Sequence, residues 1–150
     1  MRKFGDNVWD DPLDEMDGGV SGRRLRRTEG SRLAAAVWQL APRSDGVVYH
    51  FHHGTEELLI VLRGRPLLRA AEGERQLDEG EVVHFPPGPD GAHKLSNPTD
   101  EPVRYAMAAV HTSPDIVEYP DEGTYAAFAK TKSQYGEPFS VRDELKRPDR

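Results

Sequence analysis

Short apolar runs separated by turn residues constrain the fold of this chain more than any other feature. The runs are Leu33–Leu40, Val47–His52, Thr55–Leu62, Pro66–Ala70, Arg75–Leu77, Glu81–Phe85, His93–Ser96 and Val103–His111. Many short strands with turn signals roughly every ten residues are typical of an all-β sandwich or barrel. No amphipathic helical pattern of useful length interrupts them, so a fold of alternating strands and helices is disfavoured. The pattern therefore predicts an all-β domain.

The two ends of the chain differ from this middle part. Residues 1–32 are rich in Asp and Gly, and we expect an N-terminal arm that packs by a few apolar anchors or remains mobile. The barrel is expected over residues 33–119, and Ile116–Tyr119 could be one more strand. Residues 120–150 are expected to form a C-terminal arm, partly disordered or docking onto a partner, in which Val141–Lys146 could form a short helix.

Charge and residue usage exclude several classes of function. The net charge of −6 makes a broad attraction to nucleic acid unexpected, and the local basic cluster Arg23–Arg27 reads as a solvated surface strand or arm. The chain has no cysteine, which excludes disulfides, zinc–thiolate sites, iron–sulfur clusters and thiol nucleophiles. The absence of disulfides fits a cytoplasmic protein. No apolar run approaches the roughly 20 residues of a membrane-spanning helix, so we expect a soluble chain that does not enter membranes.

One predicted strand is apolar on both faces. In Thr55–Leu62, Leu59 and Val61 share a face with Glu57, while Leu58 and Ile60 occupy the other face. A strand with one wet side should carry polar residues on that side. We therefore expect a homodimer that covers the second face. Coverage by residues 1–30 or 112–150 of the same chain is the competing explanation.

Three histidines and one glutamate stand where a barrel could bring them together. Because side chains alternate along a strand, His50 and His52 can point the same way. Glu57 lies beyond a turn and can return on the neighbouring strand, and barrel closure can bring His93 near. Imidazole and carboxylate are suitable ligands for iron, manganese, nickel or zinc. These residues predict a divalent transition-metal site with open coordination positions.

Other residues of the same types compete for this role. A lone histidine in a strand usually lies at the surface or is hydrogen-bonded in the core, and we interpret His53, His84 and His111 in that way. Glu56 is the rival carboxylate. We prefer Glu57 because it shares its face with the apolar residues of the strand, where an unpaired carboxylate would be unfavourable without a cation.

The spacing of these residues resembles the two sequence motifs of the cupin family. The first motif, two His flanking one residue and then a Glu and a Gly, reads here as His50, His52, Glu57 and Gly64. The second reads as Gly80, Pro86, Gly88, His93 and Asn97, with a longer gap before the histidine than the family's motif has. The resemblance implies a double-stranded β-helix, or jelly-roll barrel, whose metal ligands are His50, His52, Glu57 and His93.

The resemblance implies a function only in outline, since one fold hosts many functions. We expect a metal-dependent enzyme that acts on a small molecule, of the oxygenase, decarboxylase or sugar isomerase type. The alternative is a non-catalytic module that binds or senses a small ligand at the same metal site. A purely structural metal site is less favoured, because three His and one Glu leave coordination positions open.

Overall fold

The computed structural model describes residues 5–146, and nearly all of its regular structure is β-strand. The strands are β1 (Asp14–Glu15), β2 (Val20–Arg24), β3 (Leu33–Leu40), β4 (Phe51–His52), β5 (Glu56–Arg63), β6 (Leu67–Ala70), β7 (Gly73–Gln76), β8 (Val82–Phe85), β9 (His93–Ser96), β10 (Val103–Val110), β11 (Asp115–Tyr119), β12 (Thr124–Lys132) and β13 (Pro138–Glu144). Asp17–Gly19 and Pro89–Gly91 form short 3-10 turns. The expected all-β class is confirmed.

All strand pairs are antiparallel and form three sheets. The largest has the order β1-β2-β3-β10-β5-β8, the second β13-β12-β11-β4, and the third β7-β6-β9. Neighbours that are distant in sequence, such as β3 and β10 or β4 and β11, show that the chain crosses between sheets rather than meandering. This arrangement brings the β4, β5 and β9 segments around one interior.

The core lies between the sheets and follows the alternation of the strands. On β5, Leu59 and Val61 are fully buried, whereas Leu58 on the opposite face is 37% exposed. Leu59 lies opposite Met107 of β10, and Met107 lies opposite Ala36 of β3, so these residues share the inner face of the sheet. The buried cluster is completed by Leu40, Leu68, Leu77, Phe85, Leu95, Val103 and Tyr105.

The N-terminal segment covers part of the outer face. The buried guanidinium of Arg104 on β10 donates hydrogen bonds to the carbonyl oxygen of Asp10 and to the carboxylate of Asp11. The indole ring of Trp9 lies within reach of Arg63 and Arg104, at 5.1 and 5.7 Å from their guanidinium carbons. One end of the outer face is therefore covered by the same chain.

The C-terminal segment forms a hairpin. Pro138–Glu144 pairs along β12, so the expectation of a short helix at Val141–Lys146 is wrong. The physical reason is that the pairing partner in β12 outweighs a weak local helical preference. Ile116–Tyr119 does lie in a strand, β11, as the sequence predicts. Within the described residues, no helix is long and apolar enough to cross a membrane.

Candidate metal centre

The structure brings the four predicted ligand residues to one place inside the barrel. The possible ligand atoms of His50, His52 and Glu57 lie within 4.8 Å of one another. The Nε2 atom of His93 lies 3.3 Å from Oε2 of Glu57, and Nε2 of His52 lies 3.7 Å from the same oxygen. The imidazole centroids of His50 and His93 are 4.6 Å apart. We call these four residues the ligand cluster.

Backbone hydrogen bonds join His50 and His93, two members of the ligand cluster that are far apart in sequence. His50 and His93 form an antiparallel bridge in which each backbone N–H donates to the other residue's carbonyl oxygen, at 3.2 and 2.9 Å. His93 follows the 3-10 turn Pro89–Gly91. A Cβ atom at Gly91 would lie 1.8 Å from the carbonyl oxygen of Pro86, so only glycine fits there. The longer gap between the second motif's glycine and its histidine is thus accommodated as a compact turn.

Each histidine of the ligand cluster has its Nδ1 atom in a hydrogen bond with a protein oxygen atom. Nδ1 of His50 lies 2.7 Å from the carbonyl oxygen of Val48, and Nδ1 of His93 lies 2.9 Å from that of Gly91. Nδ1 of His52 lies 2.9 Å from Oδ2 of Asp115. A carbonyl oxygen or a carboxylate can only accept, so Nδ1 carries the proton and Nε2 presents a lone pair.

Asp115 is held in its charged form. Its Oδ2 accepts the hydroxyl proton of Thr55 at 2.7 Å, and its Oδ1 accepts the backbone N–H groups of Gly54 and Ile116. Burial raises the pKa of this carboxyl, but the hydrogen bonds from Thr55 and His52 outweigh it, so the pKa lies below its usual value. An ionised Asp115 fixes the tautomer of His52 and increases the basicity of its Nε2 atom.

Burial keeps the imidazoles neutral. It lowers the pKa of His93 to about 3, with a further contribution from His50, and it lowers the pKa of His50 as well. Burial raises the pKa of Glu57. The Phe85 ring stacks on the His93 imidazole with centroids 3.8 Å apart, which helps to exclude water.

The donor set fits a cation. The Nε2 atoms of the histidines face the Glu57 carboxylate, because their Nδ1 atoms are hydrogen-bonded elsewhere. Such a group is unfavourable by itself and becomes favourable when a positive ion neutralises it. Nitrogen and carboxylate ligands of this kind are suitable for divalent transition metals.

The competing residues of the sequence analysis lie elsewhere. The imidazole of His53 contacts Glu118 at 2.8 Å, and that of His84 contacts Glu56 at 2.6 Å, both at the surface. Glu56 therefore faces away from the ligand cluster. His111 lies outside it as well, on the wall of a larger groove.

Sequence reasoning missed Asp115. It lies far from the two motifs in sequence, and it approaches His52 only because β11 pairs with β4, through Val117↔His52 and Glu118↔Phe51. A signal was available, since Asp115 shares a strand face with Val117, which is buried. A polar residue on the buried face of a strand needs a partner.

Two cavities adjoin the ligand cluster. The inner cavity has a volume of about 110 Å³ and is lined by Trp38, Val47, His50, Glu57, His93, Lys94, Leu95, Tyr105 and Met107. A second space of about 850 Å³, which we call the outer groove, shares Trp38, Glu57 and Met107 with it. A small molecule can thus reach the ligand cluster from the surface.

Comparison with known proteins identifies the type of domain. The family model described as Cupin domain matches residues 36–110. No curated protein sequence matches the chain.

Solved structures of the same type resemble the chain at low sequence identity. A sugar phosphate isomerase from a cupin superfamily, from Silicibacter pomeroyi, has a TM-score of 0.71 and 23% identity, with 84% of this chain and 76% of that chain covered. A polyketide cyclase from Streptomyces resistomycificus has a TM-score of 0.60 and 18% identity, with coverage of 77% and 83%. A predicted oxalate decarboxylase from Thermotoga maritima has a TM-score of 0.56 and 20% identity, with coverage of 62% and 81%. These similarities show a jelly-roll β-barrel.

Proposed function

Because the chain belongs to the cupin family, we propose that it is a metal-dependent enzyme that acts on a small molecule. The observation that carries the proposal is the convergence of three Nε2 lone pairs and the Glu57 carboxylate beside a cavity. We propose His50, His52, Glu57 and His93 as the ligands of iron, manganese, nickel or zinc. Four protein ligands leave positions on a six-coordinate ion for substrate oxygen atoms.

A divalent ion in this position would supply Lewis-acid or redox chemistry to a bound substrate. The protein's own contribution is orientation and exclusion of water. The backbone carbonyls of Val48 and Gly91, together with Asp115, hold the imidazoles in one tautomer. Tyr105 lines the inner cavity, and burial, with the charge of Glu57, raises the pKa of its hydroxyl group, so the hydroxyl stays protonated and is a potential hydrogen-bond donor to substrate.

Among the three reaction types, we propose the sugar isomerase type as the first to be tested. The solved structure with a TM-score of 0.71 is described as a sugar phosphate isomerase. The inner cavity is lined mainly by apolar groups, but Lys94 and Tyr105, beside His50, Glu57 and His93, can donate hydrogen bonds to a polyhydroxy substrate. Decarboxylase and oxygenase reactions remain as the other arms of the experiment.

The test measures metal content and turnover separately. We would purify the chain and its His50→Ala and Glu57→Ala variants, determine bound metals by elemental analysis, and assay each metal-loaded form with sugars, sugar phosphates and small carboxylic acids. His84→Ala and Glu56→Gln are the matched controls, because they remove the same residue types from the surface. The proposal requires metal loss in the first pair only, and turnover with at least one metal.

Two outcomes would contradict parts of this proposal. Metal content that both site variants leave unchanged would overturn the ligand assignment. The chain could bind metal and hold a small ligand tightly, yet turn over no substrate class and consume no oxygen. That result would favour the non-catalytic binding module instead.

We also propose that two chains form a homodimer through the uncovered part of the outer face. Leu58, Val82 and Val110 lie on this face of neighbouring strands and are 37%, 56% and 40% exposed. Sedimentation equilibrium at micromolar concentration should give twice the chain mass, and Leu58→Lys should reduce it, whereas Ile116→Lys on another surface should not. The mass of a single chain would overturn the dimer. The cytoplasmic location expected from the sequence stays a prediction, which cell fractionation tests.

A further inference from the structure

The outer groove connects the ligand cluster with the surface and differs from it in character. It lies between the inner face of the largest sheet and the β12–β13 hairpin. Its walls are formed by Arg24, Leu25, Arg27, Ala34, Ala35, Ala36, Trp38, Glu57, Met107, Ala109, His111, Thr112, Ser113, Phe128, Ala129, Lys130, Pro138, Phe139 and Ser140. Glu57 therefore lies at the inner end of the groove.

The strand register places Arg24 on the same sheet face as the ligand cluster. Arg24 of β2 lies opposite Ala36 of β3, Ala36 lies opposite Met107 of β10, and Met107 lies opposite Leu59 of β5. Leu59 is two residues from Glu57 and shares its face. Three strand spacings separate β2 from β5, which is at most roughly 15 Å across the sheet. The side chains of Ala34 and Ala36 are small, so the space between Arg24 and the ligand cluster is open.

The charged residues of the outer groove are almost all positive. Arg24, Arg27 and Lys130 line it, and among the described lining residues Glu57 is the only carboxylate. This positive charge is opposite in sign to the net charge of the whole chain, which is −6. The pKa of the lining residue His111 is lowered, first by burial and next by the charge of Arg27, with Lys130 also contributing. The groove thus has a positive potential of its own.

The three cations have little to neutralise them. Within residues 5–146, no carboxylate forms an ion pair with Arg24 or Lys130, and the guanidinium of Arg27 donates to the backbone carbonyl oxygen of Ser31 at 3.0 Å. Most other arginines of the described chain are paired, for example Arg65 with Asp78 and Arg69 with Asp121. Cations without a carboxylate partner among residues 5–146, on the walls of a groove that reaches Glu57, are placed to receive an anion.

We propose that the substrate is an organic anion whose charged group, a carboxylate or a phosphate monoester, binds between Arg24, Arg27 and Lys130 while its other end reaches the ligand cluster. This inference rests on the proposed function and specifies its substrate class. Guanidinium groups donate paired hydrogen bonds to carboxylate and phosphate oxygen atoms, and an ammonium adds a point charge. The span of the groove requires an elongated molecule, with its reacting oxygen atoms at the end opposite the anion.

The test compares charged and neutral probes of similar size. Glucose 6-phosphate, gluconate, glucose and inorganic phosphate would each be titrated calorimetrically into the full chain loaded with manganese, at low and at moderate salt. Arg24→Gln and Lys130→Met remove groove cations. Arg26→Gln and Lys132→Met are the matched controls, because they make the same changes at neighbouring residues outside the groove lining.

We expect at least one organic anion to bind about 10-fold or more tightly than glucose, and each groove variant to weaken that anion by about 10-fold. The two control variants should change its affinity by less than about 2-fold. Preference for glucose 6-phosphate identifies a phosphate group as the bound anion, and preference for gluconate identifies a carboxylate. Equal affinity for glucose and both anions, no binding of any anion, or equal losses in groove and control variants would overturn the proposal.

A His52→Ala variant separates this inference from the proposed function. It removes a ligand of the cluster and leaves the groove cations in place, so the organic anion should still bind and should still depend on Arg24. If His52→Ala abolishes anion binding while Arg24→Gln preserves it, the anion binds at the ligand cluster and the groove proposal is wrong. If the anion binds as expected but no metal supports turnover, the groove proposal holds and the enzymatic proposal fails.

Discussion

Histidine–glutamate pairs inside the barrel differ from those on its surface, although strand β5 contributes a glutamate to both. On the surface, His84 lies 2.6 Å from Glu56 and His53 lies 2.8 Å from Glu118, distances at which a proton is shared. Inside, Glu57 lies 3.3 Å from His93 and 3.7 Å from His52, and the imidazole protons are on the far nitrogens. In each surface pair, the histidine and the glutamate are hydrogen-bonded to each other. In the interior pairs the imidazole protons point elsewhere, and we propose that a cation takes their place.

The largest effect expected from this difference is on metal binding. His52→Ala should lower metal affinity by more than the roughly 100-fold that loss of a residue behind a ligand can cause, because it removes a donor atom. His53→Ala, one residue along the chain, should leave affinity unchanged. Competition with a chromogenic chelator measures both. Similar losses in the two variants would mean that the inner and outer histidines do not differ as described.

Removal of a residue that orients a proposed metal ligand should have a smaller effect on metal affinity. Asp115→Asn keeps the size of the side chain but removes the charge that orients the His52 imidazole. Metal affinity should fall by about 10–100-fold.

Glu118→Gln makes the same change behind the surface residue His53 and is the control. The same competition assay applies. An affinity equal to that of the unmodified chain would show that Asp115 does not act through His52.

The pH dependence of the metal-free protein should reveal the neutral histidines. Well above pH 6.5, which is the ordinary pKa of histidine, His93 is neutral in both the folded and the unfolded chain and adds no pH dependence. As the pH falls, the unfolded chain binds the proton first, because burial lowers the pKa of His93 to about 3 in the folded state. His50, whose pKa is also lowered, acts in the same direction.

The free energy of unfolding should therefore fall by about 1 kcal/mol through His93 between pH 7.5 and 5.5, and His50 adds to this fall. Glu57 acts in the opposite direction, because burial raises its pKa in the folded state. Urea unfolding of chelator-treated protein at the two pH values measures the change. His93→Gln should reduce it, and an unfolding free energy that does not vary with pH would contradict the assignment.

The smallest expected effect is a change in stability whose sign depends on whether metal is present. Glu57→Gln should stabilise the metal-free protein at pH 7, by about 1 kcal/mol, because it removes a buried charge that lacks a cation. In the presence of excess metal the same variant should be less stable than the unmodified chain. Glu56→Gln, at an exposed pair, should change stability by less than about 0.5 kcal/mol in both conditions. Thermal unfolding with and without metal distinguishes these outcomes.

The sequence predicts what depends on local alternation and spacing. The strands from Leu33 to Val110 and their inward faces follow from the period of two, which also separates Glu57 from Glu56. The metal role of the four clustered residues stays a prediction, with which their proximity is compatible.

What the sequence could not supply depends on pairing between distant strands. Asp115 acquires its role only when β11 pairs with β4. Arg24 reads as a solvated surface residue until the register of β2 against β3 places it opposite Ala36 on the inner face. The helix expected at Val141–Lys146 fails for the same reason, because the partner strand β12 decides the conformation.

The reciprocal backbone hydrogen bonds between His50 and His93 have a consequence for how an ion is acquired. These two imidazoles, which come from segments far apart in sequence, are aligned by the polypeptide itself, with their ring protons tied to nearby carbonyl oxygens. Capture of an ion then requires little loss of chain entropy, unlike in small domains that fold only around their metal. The proposed site for the ion is thus assembled in advance, and we expect uptake and release to proceed while the barrel stays folded.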